Sequence, residues 1–336
     1  MAERTLVCAV NWLGDGVMSL PAIQAFRLRF PGRHLAVLAK RRVEAFWRLH
    51  PAVDEVLAFD GSAAGTLRAA RDVRRGGFRD AWVLPNSFRS ALIPFLAGVP
   101  VRAGAAGHAR RPLLNRVVNV SAAAGRHQAW EYAAILGVAD LETLDPPRLR
   151  IPQEAAAGAR RLLGSRPERP RVGLIPGAAR GPSKRWPAPH FADLGRRLGA
   201  AGYEVLVLGA PPEAGLCAEV AAGVGAPAVN LAGRTSLAEL AAVLALCHVA
   251  IANDSGGMHL AAAVGTPVVG IFGLTDPAKT GPLGPGHRVV SPPGARGRRD
   301  IARRSSRAAA CLRGLSPDAV FGAAMEILNA EPPAHG

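Results

Sequence analysis

Short runs of β-branched and leucine residues alternate with longer helical stretches along most of this chain, and that alternation restricts the fold more than any other feature. Thr5 to Val10 reads as a strand, Val17 to Phe30 as a helix and Leu35 to Leu38 as a second strand. The rhythm continues through Glu55 to Ala58, a helix from Gly65 to Arg74, and a fourth strand at Ala81 to Leu84. Strands joined by helices run parallel, and a parallel sheet needs helices on both faces, so a Rossmann-like α/β domain is expected over 1–150. Between Leu141 and Pro170 the rhythm breaks into a passage with Pro146, Pro147 and Pro152, followed by an alanine-rich helix, which places a linker near 145–165. It restarts at Arg171 to Ile175 and runs through Val205 to Leu208, Ala228 to Leu231, Val249 to Ala252 and Val268 to Phe272. A second Rossmann-like domain is therefore expected over 165–315. A terminal amphipathic helix follows within 316–330, with Ser316 as N-cap and Pro317 at the first helical position. In many two-domain enzymes of this kind the last helix returns to the first domain, an arrangement the sequence leaves open. With 336 residues, 49% of them apolar, each domain has enough material for its own core.

The formal net charge of +16 attracts polyanions and opposes compaction, so it calls for a partner or a compositional cause. The excess clusters in Lys40 to Arg48, Arg68 to Arg79, Arg102 to Arg116 and Arg296 to Arg313. An RNA binder interleaves aromatics for base stacking, whereas aromatics here are 5% of the chain and scattered. An anionic membrane face or a lipid phosphate fits better. Asn11, Asp15, Gln24 and Arg27 interrupt the first thirty residues, so no secretory signal is read and a cytoplasmic protein is expected. No run approaches the length of a membrane span. Cys8, Cys217, Cys247 and Cys311 share no CxxC spacing and are expected as packing residues or free thiols, not metal ligands.

Chemistry-bearing residues fall where strands end and helices begin, which in an open α/β sheet is the ligand-binding edge. After the first strand comes Asn11-Trp12-Leu13-Gly14-Asp15-Gly16, whose glycines let backbone approach a ligand; spacing alone reads Asp15 equally as a helix cap. Pro85-Asn86-Ser87-Phe88-Arg89-Ser90 follows the fourth strand with groups suited to a polar acceptor, helix capping by Asn86 or Ser87 being the alternative. In the second half, Ile175-Pro176-Gly177-Ala178-Ala179-Arg180-Gly181-Pro182-Ser183-Lys184-Arg185 joins a glycine-bearing loop to two cations, an arrangement suited to a diphosphate or, more blandly, a basic surface loop. Asn253-Asp254-Ser255-Gly256-Gly257-Met258-His259 is the sharpest local signal. Ser255 and Gly256 open a helix where amides and dipole favour phosphate, Asp254 lies beside them, and His259 one turn on reads by itself as a packing residue.

Taken in order, Trp12-Leu13-Gly14-Asp15, Leu84 to Leu92 with Gly98-Val99-Pro100, Pro176-Gly177-Ala178 to Lys184-Arg185-Trp186-Pro187, and Asn253-Asp254-Ser255-Gly256 to His259 resemble the ADP-heptose:lipopolysaccharide heptosyltransferase family, most closely its heptosyltransferase II branch. The resemblance implies the GT-B architecture, two Rossmann-like domains with parallel sheets facing a central cleft. It implies inverting transfer of heptose from ADP-heptose to the lipopolysaccharide inner core, with no cofactor and no metal. Asp15 is then the general base and Lys184 the cation that offsets charge on the departing diphosphate. Donor contacts fall to Ala179, Arg180, Lys184, Glu213, Thr235, Asp254, Ser255, Gly256 and His259, with Glu213 at the ribose and Thr235 at the adenine. Acceptor contacts fall to Trp12, Gly14, Asn86, Ser87 and Arg89. The implied partners are an ADP-sugar, a phosphorylated lipid A/Kdo core acceptor and the cytoplasmic face of the inner membrane, held peripherally; nucleic acid is not expected. Ala179 and Arg180 stand where relatives often carry hydroxyl or acidic residues, and Arg296 to Cys311 replaces a stretch often richer in His and Cys. Two alternatives remain: a related transferase using another nucleotide sugar or glycan acceptor, and a non-catalytic polyanion or RNA binder.

Overall fold

The computed structural model describes residues 3–140, 142–164, 169–179, 181–226, 228–294 and 311–330. The chain divides into two compact units, Met1–Arg150 and Ile151–Gly336. In the first, strands β1 (Arg4–Cys8), β2 (His34–Lys40), β3 (Glu55–Phe59), β4 (Asp80–Val83), β5 (Val101–Ala105) and β6 (Arg116–Val118) form one sheet in the order β3-β2-β1-β4-β5-β6. Helices α1 (Leu13–Arg29), α2 (Arg41–Trp47), α3 (Ala63–Arg75), α4 (Phe88–Leu96) and α5 (Gln128–Ile135) belong to this unit.

The second unit opens with α6 (Gln153–Leu163). It then interleaves β7 (Arg171–Ile175), α7 (Ala188–Ala200), β8 (Glu204–Val207), α8 (Ala214–Val224), β9 (Ala228–Asn230), α9 (Leu237–Ala245), β10 (Val249–Asn253), α10 (Gly256–Ala263), β11 (Val268–Ile271), α11 (Pro277–Thr280) and β12 (Arg288–Val290). Its sheet runs β9-β8-β7-β10-β11-β12, the same plan as the first. Every ladder in both sheets is parallel. Both have the Rossmann strand order, in which the chain reverses direction across the sheet beside the first strand.

The middle strands are apolar throughout because helices cover both faces: Leu6, Val7, Val37 and Val83 in one sheet, and Val172, Leu174, Val205, Val249 and Ile251 in the other, are fully buried. Strands β5, β6 and β12 carry Arg102, Arg116 and Arg288 and were not legible as strands. They lie toward one side of each sheet, where a short strand tolerates charge. The positive clusters are also spent internally. Arg102 donates to Leu113 O and Val99 O at 2.9 and 2.6 Å, Arg74 to Leu96 O at 2.7 Å, and Arg116 stacks over Trp82 at 5.1 Å.

One boundary differs from the sequence reading. The alanine-rich helix α6 is not linker: it packs on α9, so the second unit begins at Ile151 and not near 165. The C-terminal helix Pro317–Leu328 packs on α7 and on β10, β11 and β12 of its own unit. Its N-cap is as expected, with Ser316 Oγ accepting from Ala319 N at 3.4 Å. The passage before Arg150 is tied to the first unit by Gln24, which donates to Pro146 O at 3.0 Å and accepts from Arg148 N at 2.8 Å. Cys8, Cys217 and Cys247 are buried, and desolvation first of all pushes each thiol up to about 12. Among the described residues no helix is long and apolar enough to cross a membrane.

Two predictions follow from packing. A Cβ on Gly16 would fall 2.8 Å from Cε1 of Phe46, whose ring is fully buried against Trp47 and cannot swing away. Gly16→Ala gains about 1 kcal/mol of helix propensity but incurs roughly 1–3 kcal/mol of overpacking. Urea denaturation should show a net loss. His50, 2% exposed, accepts from Ala52 N at 3.1 Å. Burial and then the nearby Arg27 push its imidazole from 6.5 down to about 4. The unfolded chain therefore binds the extra proton between those values, and stability should fall by about 3 kcal/mol as pH drops through that window. His50→Phe should lose that slope in pH-dependent denaturation.

Candidate functional site

In the second unit, three loops meet at the carboxyl edge of the sheet, and Asn253 fixes two of them. Fully buried at the end of β10, it accepts from Trp186 N at 2.9 Å and donates to Pro176 O at 2.8 Å. It thus clamps both ends of the Pro176 to Trp186 loop against the start of α10. Trp186 is anchored in turn by its indole N–H, which donates to Leu315 O at 2.9 Å, and by an edge-on contact with Phe191. The loop is held so that Lys184 meets Asp254: its ammonium donates to Asp254 Oδ2, the same oxygen that accepts from Thr275 Oγ1 at 2.6 Å. The side chains of Lys184 and Asp254 are 15% and 7% exposed, so the pair is shielded from solvent screening. It lines a cavity of about 30 Å³ with Ser183, Gly273 and Thr275.

Ser255 is the N-cap of α10, but its hydroxyl does not cap the helix and is buried with no hydrogen-bond partner among the described residues. Arg185 Nε is buried and unpartnered in the same sense, while its Nη2 donates to Ala178 O at 3.2 Å. An orphaned buried polar atom costs about 1–3 kcal/mol. Gly257 lets α10 close on the sheet, since a Cβ there would fall 2.8 Å from Ile175 Cγ2. Glu213 follows β8; its carboxylate accepts from Ala210 N at 2.9 Å and lies against Gly177. Thr235 is partly exposed just before α9, and Ala179 is exposed after β7. His259 is buried on α10, one turn beyond Ser255. Arg180 lies outside the described residues.

The first unit presents its own residues at the equivalent edge. Trp12 is the N-cap of α1 by backbone alone, and Asp15 lies inside the first turn, so the capping alternative for Asp15 does not apply. A carboxylate there is favoured by the helix dipole. Gly14 shares that turn, and Trp12 is stacked under Arg42 at 4.7 Å. Ser87 does cap α4, accepting from Ser90 N at 3.3 Å. Asn86 does not: it accepts from Arg110 Nη2 at 2.9 Å and donates to Glu131 at 3.4 Å. Arg89 donates to Gly61 O at 3.1 Å. Sequence reasoning missed Thr275, the clamping role of Asn253, and the fully buried Arg110. Only Asn253 carried a readable signal, being part of the quoted motif; Thr275 and Arg110 are brought in by the fold.

The Lys184–Asp254 pair makes a stability prediction. Removing one partner leaves the other charge buried and unpaired, at a cost of about 3–5 kcal/mol, whereas replacing both restores part of the loss. Chemical denaturation of Lys184→Met, Asp254→Asn and the double variant should give a coupling of roughly 1–3 kcal/mol, with the double variant less destabilised than the sum.

The profile of glycosyltransferase family 9 (heptosyltransferase) matches residues 66–304. The lipopolysaccharide heptosyltransferase 2 of Salmonella typhimurium is 34% identical over 304 residues, spanning 85% of this chain and 87% of its own. The lipooligosaccharide heptosyltransferase 2 of Haemophilus influenzae is 32% identical over 298 residues, 83% of this chain and 85% of that one. The structure of the Escherichia coli ADP-heptose lps heptosyltransferase II superposes with a TM-score of 0.85 at 29% identity, covering 97% of this chain and 98% of that chain. These likenesses set aside the non-catalytic polyanion binder, and the chain belongs to glycosyltransferase family 9, the heptosyltransferases.

Proposed function

We propose that this enzyme moves a heptose from ADP-heptose to the inner core of lipopolysaccharide, inverting the anomeric centre without a metal ion. The observation that carries the reading is the orphaned Ser255 hydroxyl at the head of α10, beside the Lys184–Asp254 pair. A diphosphate placed there would accept from Ser255, from the first amides of α10 at Gly256 and Gly257, and from Lys184. Glu213 after the second strand of its sheet occupies the position at which Rossmann folds hold ribose hydroxyls, and Thr235 and Ala179 border the same edge. Arg180 and His259 complete the donor set carried by the family resemblance. On the acceptor side stand Trp12, Gly14, Asn86, Ser87 and Arg89.

Asp15 takes the proton from the acceptor hydroxyl as that oxygen bonds to the anomeric carbon. The bond from that carbon to the diphosphate oxygen breaks on the opposite side, and the configuration inverts. The charge that develops on ADP is met by the Lys184 ammonium, which Asp254 and Thr275 hold in place before the reaction starts. The likeness to lipopolysaccharide and lipooligosaccharide heptosyltransferases supports lipopolysaccharide as the acceptor class. The acceptor is lipid-anchored and anionic, so the basic first unit would work at the cytoplasmic face of the membrane, bound peripherally.

The direct test is incubation of the purified protein with ADP-heptose and truncated lipopolysaccharide cores. Mass spectrometry should show the gain of one heptosyl residue, unaffected by chelators; transfer from a different nucleotide sugar would overturn the donor assignment. Asp15→Asn should lower kcat by about 10²–10⁴-fold while leaving the Kd for ADP unchanged. Ser255→Ala should change two quantities in opposite directions. It removes a buried unsatisfied hydroxyl, so the ligand-free protein should gain about 1 kcal/mol in thermal or urea denaturation, yet ADP should bind roughly tenfold more weakly.

A further inference from the structure

Thr275 enters the site of the second unit from the short loop between β11 and α11, and that loop is pinned on both sides of it. Before it, Phe272 N donates to Val290 O at 2.9 Å, and Gly273 lies so close to Leu312 that a Cβ would come within 3.2 Å of Cγ. After it, Asp276 caps α11, accepting from Ala278 N at 3.0 Å through its carboxylate and from Lys279 N at 3.0 Å through its carbonyl. The threonine is therefore set in place by its neighbours before any ligand arrives.

A hydroxyl carries one proton, and Thr275 spends it on Asp254 Oδ2 at 2.6 Å, the oxygen that also meets the Lys184 ammonium. Toward anything else Thr275 can only accept. Asp254 is held by its own N–H, which donates to Ile271 O at 3.0 Å, and its Oδ1 takes part in neither side-chain bond.

These groups line, with Ser183, a cavity of about 30 Å³ whose apolar wall includes Ile271 and Leu274. That space holds about two water molecules or one carbinol group, and no sugar ring. A phosphate is disfavoured beside the Asp254 carboxylate by like charge. Hydrogen-bond acceptors together with aliphatic carbon suit a group that donates from a carbon stem, the end of an alcohol.

We propose that Thr275 is a specificity-determining residue that accepts a hydrogen bond from the terminal carbinol of the donor sugar, and so distinguishes a heptose from a hexose. The exocyclic arm of a heptose is one carbon longer than that of a hexose, and the extra carbon carries the hydroxyl that the cavity accommodates. The assignment rests on the ADP-heptose reading above. The selectivity it gives is modest. With a hexose bound, water refills the cavity and satisfies Thr275, so the difference is about one hydrogen bond, on the order of tenfold. A site whose polar groups were left stranded would discriminate far more strongly.

The test compares ADP-heptose with the ADP-hexose of the same ring configuration, using the full chain as wild type, Thr275→Val and Thr275→Ser. Thr275→Val keeps the shape and removes the hydroxyl, which also loosens Asp254 and Lys184. That loss falls on both donors and cancels in the ratio of their kcat/KM values. The wild-type ratio should favour the heptose about tenfold, Thr275→Val should bring it to within about twofold of unity, and Thr275→Ser should restore it. An unchanged ratio in Thr275→Val, which includes an equal fall on both donors, would overturn the specificity role and leave Thr275 as a support for Asp254 alone. Calorimetric titration of the same three proteins with ADP, the ADP-hexose and ADP-heptose needs no transfer. Binding of ADP shows that each variant folds, and the advantage of heptose over hexose in Kd should vanish in Thr275→Val. If the wild type transfers neither sugar, the heptosyltransferase reading fails, while equal Kd values of the wild type for the two donors would overturn the role of Thr275 by itself.

Discussion

A parallel sheet buried on both faces leaves its strand ends as the places where chemistry can be reached, and everything functional in this protein follows from that constraint. Helices occupy both surfaces of each sheet, so side chains along the strands are committed to the core. At the carboxyl edge the backbone leaves the sheet and helix N-termini point outward, offering amide donors and a positive dipole. Both units use this edge. In each, the loop after the fourth strand ends in a serine N-cap, Ser87 before α4 and Ser255 before α10. They differ in what the serine does: Ser87 accepts from its own helix, whereas Ser255 leaves its hydroxyl unspent.

That difference shows where stability has been traded for binding. The edge of the second unit holds an orphaned hydroxyl, an orphaned guanidinium nitrogen and a solvent-shielded ion pair, each a local cost in the ligand-free protein. In the first unit the buried Arg110 spends its hydrogen bonds on neutral groups, the Ala105 and Pro85 carbonyls and the Asn86 amide oxygen. Part of the arginine excess is spent within the protein, on carbonyls at Arg102, on a carboxylate at Arg33 and on an aromatic face at Arg116.

The central strands, the two-unit plan and the strand-end loops were legible because each has a sequence period or a punctuating glycine behind it. β7 was read with its observed bounds, and Ser316 was placed correctly as a cap. Strands β5, β6 and β12 were missed because arginine in a three- to five-residue strand cancels the apolar signal. The second unit begins at Ile151, inside the linker read over 145–165, because α6, Ala-rich and following several prolines, looks like linker until its contact with α9 is seen. Asp15 and Lys184 could be chosen from the family resemblance, but not the geometry that sets them up. Thr275 sharing an oxygen of Asp254, Asn253 bridging two loops and Arg110 pulling Pro85 and Asn86 inward are long-range pairings of distant residues, and one sequence carries no register for those.

The cysteines give the molecule a built-in reporter. Three of the four thiols are sealed in the cores with their ionisation moved to about 12, so at neutral pH only a vanishing fraction is thiolate and alkylating reagents find nothing to attack. Cys311 is partly exposed. Alkylation of the folded chain is thereby directed to that single position, while Cys8 in one unit and Cys217 and Cys247 in the other become reactive only as their own sheet opens, so the order in which they are trapped times the loosening of each half independently.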